Sequence, residues 1–126
     1  MHTHTRAMIA ASAYAAITGK KVAGLYDHTG AAHLRIAAEC RGDRVQGADG
    51  DRSAMFGGTL PEIHDAAGNV FVSLEIEGAK ARGYDRGSGD HYALEVEGRL
   101  INLYDYGAAA WFAYETQFAE DGPPAP

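Results

Sequence analysis

Carboxylates and imidazoles stand side by side at two points of this chain, and they are its first candidates for chemistry. Asp27 precedes His28, and His64 precedes Asp65. Such groups can hold a divalent cation or exchange protons near neutral pH, so Asp27, His28, His64 and Asp65 form the candidate metal set. Neither His28, His64 nor His91 has a second histidine at the His-x-His or His-x3-His spacing of a dedicated site. A different use for the carboxylates is visible. Tyr26-Asp27, His64-Asp65, Tyr84-Asp85 and Tyr104-Asp105 each close an extended run, and Gly30, Gly68, Gly87 and Gly107 follow within a few residues. An aspartate placed there accepts hydrogen bonds from backbone N–H groups just ahead of it and opens a turn. The expectation is that these aspartates hold turns. Asp49-Gly50-Asp51 is a degenerate copy of the same signal and lacks the ligand series of an EF-hand.

Aromatic side chains are the second set. Tyr84, Tyr104, Tyr106, Trp111 and Tyr114 are the candidate ligand or interface residues. In the last extended run Phe112, Tyr114, Thr116 and Phe118 share one face, whereas Trp111, Ala113 and Glu115 share the other. Rings on both faces mean that one face is core and the other is covered by a helix or serves as an interface. The charges in the middle read as a cross-strand ladder: Glu75 and Glu77, then Lys80, Arg82 and Arg86, then Glu95 and Glu97. Catalytic motifs are missing. Thr18-Gly19-Lys20-Lys21 lacks the upstream glycine and following hydroxyl of a phosphate loop, and there is no Gly-x-Ser-x-Gly elbow. Cys40 ends an apolar alternation with Leu34, Ile36 and Ala38, which predicts an inert thiol. No cofactor is expected.

The 126 residues suit one domain, and a 46% hydrophobic share excludes wholesale disorder. A net charge of −6 argues against nucleic-acid and anionic-lipid partners. No apolar stretch approaches the ~20 residues of a membrane span. The single cysteine excludes an intrachain disulfide and fits a cytoplasmic location. Arg6 and the alanine-rich run to Ala13-x-Ala15 imitate a signal peptide, but the run is short and carries one basic residue.

Ile9, Ala13, Ala16 and Ile17 recur at helical spacing, which predicts a helix over 6–18 with Thr5 as N-cap and Gly19 beyond its end. Such a slim helix is expected to lie against a sheet or against a copy of itself. From Lys21 the period switches to two, clearest in Val70, Val72, Leu74 and Ile76 and again in Tyr92, Leu94 and Val96. Strands are predicted near 21–27, 33–40, 43–48, 53–57, 70–77, 80–86, 91–97, 99–105 and 110–118. The last two tyrosine–aspartate turns are twenty residues apart, a spacing of two strands and two turns. All such turns should therefore share one end of a meander, with the Gly78 and Gly98 turns at the other. Gly57-Gly58 and Leu60-Pro61 are expected to form a corner, where the chain crosses to the other end or to a second layer.

The pentads Tyr26-Asp27-His28-Thr29-Gly30 and His64-Asp65-Ala66-Ala67-Gly68 resemble the Tyr-Asp-x-x-Gly turn of the repeats that build the β-shells of Rhs-type toxins and teneurins. The resemblance covers a few residues per hairpin and implies shared turn chemistry.

The fold expected is mainly β. An N-terminal helix packs on an antiparallel up-and-down meander of eight or nine strands, strongly curved or closed into a barrel. It forms one domain over 1–120, with a flexible tail at 121–126. An open sheet edge and the two-faced last strand favour a non-catalytic binding or interaction module that self-associates as a homodimer. The alternatives are a small-molecule carrier with its ligand in the barrel interior, and a metal-assisted or acid–base enzyme at the aspartate–histidine rim.

Overall fold

The computed structural model describes residues 1–117. The predicted tail, and Phe118 at the end of the last predicted strand, lie outside the described residues. One helix, α1 (Thr3–Thr18), precedes twelve strands: β1 (Leu25–Asp27), β2 (Ala32–Leu34), β3 (Ile36–Arg41), β4 (Arg44–Asp49), β5 (Ala54–Thr59), β6 (Glu62–Asp65), β7 (Val70–Ser73), β8 (Glu75–Glu77), β9 (Lys80–Asp85), β10 (Asp90–Glu97), β11 (Leu100–Asp105) and β12 (Ala110–Thr116).

The sheet runs β2-β1-β12-β11-β10-β9-β7-β6-β5-β4-β3, with β8 also paired to β9. Its two ends, β2 and β3, are consecutive in the chain and separated only by Arg35. The sheet therefore comes round on itself as a nearly closed barrel. Two hydrogen bonds bridge the seam: Val22 N–H donates to Ala38 O at 2.8 Å, and Ala38 N–H donates to Val22 O at 3.1 Å. On the other side Gln117 N–H donates to Gly24 O and Ala23 N–H donates to Gln117 O. This near closure leaves little of the open edge that motivated pairing with a second subunit.

Five hairpins share one register. Asp27 pairs with Ala32, Asp49 with Ala54, Asp65 with Val70, Asp85 with Asp90 and Asp105 with Ala110. In every copy the fourth residue after the aspartate takes a left-handed backbone: Ala31, Ser53, Asn69, Gly89 and Ala109 have φ between 49° and 82°. The aspartate turns all lie at one end, as the twenty-residue spacing predicts. The opposite end carries two-residue turns in which Gly42, Gly78 and Gly98, at φ 61–63°, take the first central position. The Leu60-Pro61 segment belongs to this end too. It joins β5 to β6, a strand the sequence reading missed, and forms no corner to a second layer.

The helix is inside the barrel. Residues Thr5–Ala15 are all buried, with no exposed side, so nothing distinguishes the Ile9–Ala13 face from its opposite. The helix packs on the curved sheet as expected, and the sheet curls far enough that strands enclose it on all sides. It contacts β3 and β4 on one side and β10 and β11 on another. Alanine makes this possible, because a thin helix fits a lumen already lined by inward side chains. It begins two residues before the predicted cap, with His2 in that position and no side-chain cap bond, and it ends at Gly19 as predicted (φ 73°).

Inward residues stack in layers below the aspartates. Two residues before each aspartate, Leu25, Gly47, Ile63, Gly83 and Leu103 face Leu34, Phe56, Val72, Tyr92 and Phe112 across the strand pair. In two of these five pairs a glycine faces an aromatic ring. A Cβ at Gly47 would stand 2.2 Å from the Phe56 ring, and one at Gly83 would stand 1.9 Å from Ser73 O. The Tyr92 hydroxyl uses that space to donate to Ser73 O at 2.7 Å, at the break between β7 and β8.

Candidate functional site

Alternation along each strand divides the sequence candidates between two surfaces. Asp27 and Asp65 point into the barrel and are buried, whereas their chain neighbours His28 and His64 lie on the outside. His28 Nε2 meets Glu115 Oε1 at 3.2 Å, and His64 Nε2 meets Asn69 Oδ1 at 2.9 Å. The four candidates for a metal set are therefore not brought together. Among the described residues no three His, Cys, Asp or Glu side chains form a group that could hold a metal ion.

The inner surface at this end is a ring of buried aspartates around the start of α1. Asp27, Asp49, Asp65, Asp85 and Asp105 all belong to it. Four of them give Oδ1 to the N–H two residues ahead, namely Thr29, Asp51, Gly87 and Gly107, at 2.9–3.1 Å. The other oxygens of Asp49, Asp85 and Asp105 face a guanidinium or a hydroxyl. Arg6 donates to Asp105 Oδ2 at 3.1 Å and lies 3.8 Å over the Phe112 ring. The Met1 ammonium meets Asp90 at 2.6 Å and Asp105 at 3.6 Å. That contact holds the Asp90 carboxyl below its ordinary range and the ammonium above its own. Arg52 joins Asp49 Oδ2 at 3.0 Å to Asp65 Oδ2 at 3.2 Å. The ring thus surrounds the positive end of the helix dipole with carboxylates and meets part of their charge with three cations.

The outer surface at the same end carries a girdle of rings. The residue before each aspartate pairs across the hairpin with the residue seven further on: Tyr26 with His33, Ala48 with Met55, His64 with Phe71, Tyr84 with His91 and Tyr104 with Trp111. Four of these pairs are ring on ring, with centroids 4.6–5.2 Å apart. Tyr106 adds a further ring edge-on to Tyr104 at 4.9 Å. Trp111 is 61% and Tyr106 59% exposed, so both are open to a partner. Part of the charged ladder adjoins the girdle. Glu75 pairs with Arg82 at 3.6 Å, and Arg86 reaches Glu62 at 3.1 Å; both pairs are solvent-facing.

Of the candidate aromatic set, Tyr84, Tyr104, Tyr106 and Trp111 lie on this girdle. Tyr114 does not: it is buried against the lumen, and burial pushes its phenol up to about 12, with the Asp27 charge adding to the effect. Beside the girdle a groove of about 740 Å³ runs over the break between β7 and β8. Tyr84, His91, Tyr106, Arg82, Glu75 and Ser73 line it. Sequence reasoning passed over His33, Phe71 and His91 as ring partners. The seven-residue interval from the residue before each aspartate was the signal that could have found them. Cys40 is free and half-buried, and desolvation raises its thiol above the ordinary range, as expected of an inert cysteine. No helix of the described chain is long and apolar enough to cross a membrane.

No protein-family model, curated protein or solved structure matches the chain.

Proposed function

We propose that this protein is a non-catalytic binding module that works through its outer aromatic girdle and self-associates there. The observation that carries the reading is the exposure of Trp111 and Tyr106 on a surface where every other hairpin also presents rings or Met55. Large exposed rings are costly to leave wet and are enriched at interface centres. The buried aspartates, by contrast, are occupied with turns and with Arg6 and Arg52, which supports a structural use over acid–base catalysis. Self-association through side chains suits a nearly closed barrel, which offers little free edge. With a net charge of −6 on each copy, it should strengthen as salt screens the repulsion. The lone cysteine suits a reducing compartment, and we place the module in the cytoplasm on that ground.

Light scattering after size exclusion tests this at tens of micromolar protein in low and high salt. A mass of two chains that rises with salt and falls in Trp111→Ala is the expected result. A single-chain mass under all conditions overturns it. The groove favours a second reading, in which a small molecule seats against Tyr84, His91 and Tyr106. Its volume lies within the range of ligand pockets. The barrel axis is less suited to this role, because α1 occupies it.

A further inference from the structure

One row of cross-strand partners on the outer face carries both a protruding ring and a hollow. Trp111 of β12 lies opposite Tyr104 of β11, Tyr104 opposite Ala93 of β10, Ala93 opposite Arg82 of β9, and Arg82 opposite Glu75 of β8. Trp111 stands at one end of this row and is 61% exposed. Ala93 is the smallest side chain in the row and lines the groove beside the girdle. Tyr84 and His91 bound that groove toward the aspartate turns, and Arg82 and Glu75 wall its far side.

Trp111 does not fill the groove of its own chain, because Tyr104 stands between them. The Tyr104 ring meets Trp111 at 5.2 Å, and Tyr106, which borders the groove, meets Tyr104 at 4.9 Å. Neighbouring strands are ~4.8 Å apart, so the indole and the hollow stand about one strand spacing to either side of β11. Equal offsets of a knob and a hole from one line are what a two-fold interface requires, since the axis makes every contact twice with the roles exchanged. An axis running along β11, between two copies packed face to face, lays each Trp111 over the Ala93 of the other copy. The groove, at about 740 Å³, is several times larger than an indole. Its wall suits one as well. The Arg82 side chain is 74% exposed and paired with Glu75 at 3.6 Å, which leaves a face of the guanidinium for the ring. Tryptophan is the strongest aromatic partner of such a cation.

We propose that the groove over Ala93 is the seat for Trp111 of a second copy of this chain, reciprocally, about a two-fold axis along β11. This seat presupposes the self-association proposed for the girdle and specifies which surfaces meet.

Trp111 is the chain's one tryptophan, so its fluorescence reports on the seat directly. The full-length protein is diluted serially from tens of micromolar in high salt, where the acidic copies repel least. Sedimentation gives the mass, and emission wavelength with acrylamide quenching gives the exposure of Trp111. The two-chain mass should come with blue-shifted emission and a severalfold drop in quenching, both reverting as the mass falls to one chain. Ala93→Gln fills the hollow from the solvent face of β10. It should weaken association by about tenfold or more, as loss of a central anchor does, with far-UV circular dichroism unchanged. A two-chain mass with Trp111 still open to acrylamide overturns the seat and leaves self-association standing; so does native association in Ala93→Gln. A single-chain mass throughout overturns both and leaves the groove to a small molecule. If Ala93→Gln does not fold, quenching of the native protein still decides.

Discussion

Enlarging an alanine on the far side of α1 distinguishes a helix inside the barrel from one lying on it. Ala11 is two residues beyond Ile9, or ~200° round the helix axis. A helix that rested one face on a sheet would present Ala11 to water, and Ala11→Leu would then be nearly neutral, since leucine and alanine have similar helix propensities. In the structure Ala11 has no exposed surface, and the side chains around it fill the lumen. Leucine adds three carbon atoms with nowhere to go. Overpacking of a filled core costs typically ~1–3 kcal/mol. The closed hydrogen-bonded wall resists expansion, so we expect about 2 kcal/mol or more from that range. For a domain of this length that corresponds to a fall in Tm of roughly 6–10 °C. Urea unfolding followed by far-UV circular dichroism measures it, and Ile9→Ala is the companion, with an expected loss of ~2–5 kcal/mol from the cavity it leaves. If Ala11→Leu stays within ~0.5 kcal/mol of the parent while Ile9→Ala destabilises, only one face of the helix is packed and the enclosed arrangement is wrong.

Other expectations follow from the same packing. The Ser12 hydroxyl is fully buried without a partner among the described residues, so Ser12→Ala should stabilise the protein by ~0.5–1.5 kcal/mol in the same urea assay. Asp105→Asn removes the charge that faces Arg6 inside the barrel and should cost ~3–5 kcal/mol, whereas Asp27→Asn, with no guanidinium on its carboxylate, should cost less. Burial raises Tyr92 and lifts Tyr114 to about 12, so both phenols should stay protonated in the folded chain at pH 10–11. Because these folded values lie above the unfolded value, stability falls as pH rises above about 10, and absorbance at 295 nm should show the two tyrosines ionising only with unfolding. His4 has the opposite sense. Its folded value is lowered, so stability is lost as pH falls through its unfolded value of about 6.5, and His4→Gln should flatten that acid limb in urea midpoints measured at several pH values.

The strands and the shared end of the aspartate turns were legible because both are local. Period-two alternation and a turn-opening aspartate depend only on residues within one hairpin. Which side of the helix meets the sheet was not legible for a reason of composition. Ile9, Ala13, Ala16 and Ile17 trace a face, but Ala7, Ala10, Ala11 and Ala15 are as apolar on the others, so the pattern carries no direction. β6 was hidden by Gly57-Gly58 and Pro61, which read as a corner although the preceding strand simply tolerates glycine where Val45 O and Glu62 O approach closely. The girdle was half visible. The tyrosines stood out, but the rule pairs positions and not residue types, and Ala48 with Met55 obeys it without a ring.

That Asp65 Oδ1 is buried without a hydrogen-bond partner among the described residues could not be read from sequence at all, since its residue type and position match those of its counterparts. What distinguishes it is whether a turn N–H turns inward, and backbone orientation has no letter in the sequence. Its neighbours sharpen the point. Gly87 and Gly107 serve as donors after Asp85 and Asp105, and Ala67 stands at the same position after Asp65. Residue type does not decide the outcome, because Asp51 donates after Asp49 from a non-glycine position. Grafting the Gly87-Ser88 pair into the Asp65 turn, as Ala67→Gly with Gly68→Ser, offers the buried carboxylate the hydroxyl that Asp85 already has. The free oxygen is then a defect of local turn chemistry, and the double variant should gain ~1.5–3 kcal/mol, the net worth of a hydrogen bond to a charged group. Urea unfolding of the double variant checks the argument: stability unchanged or lost would show that the missing donor is not what sets the Asp65 turn apart.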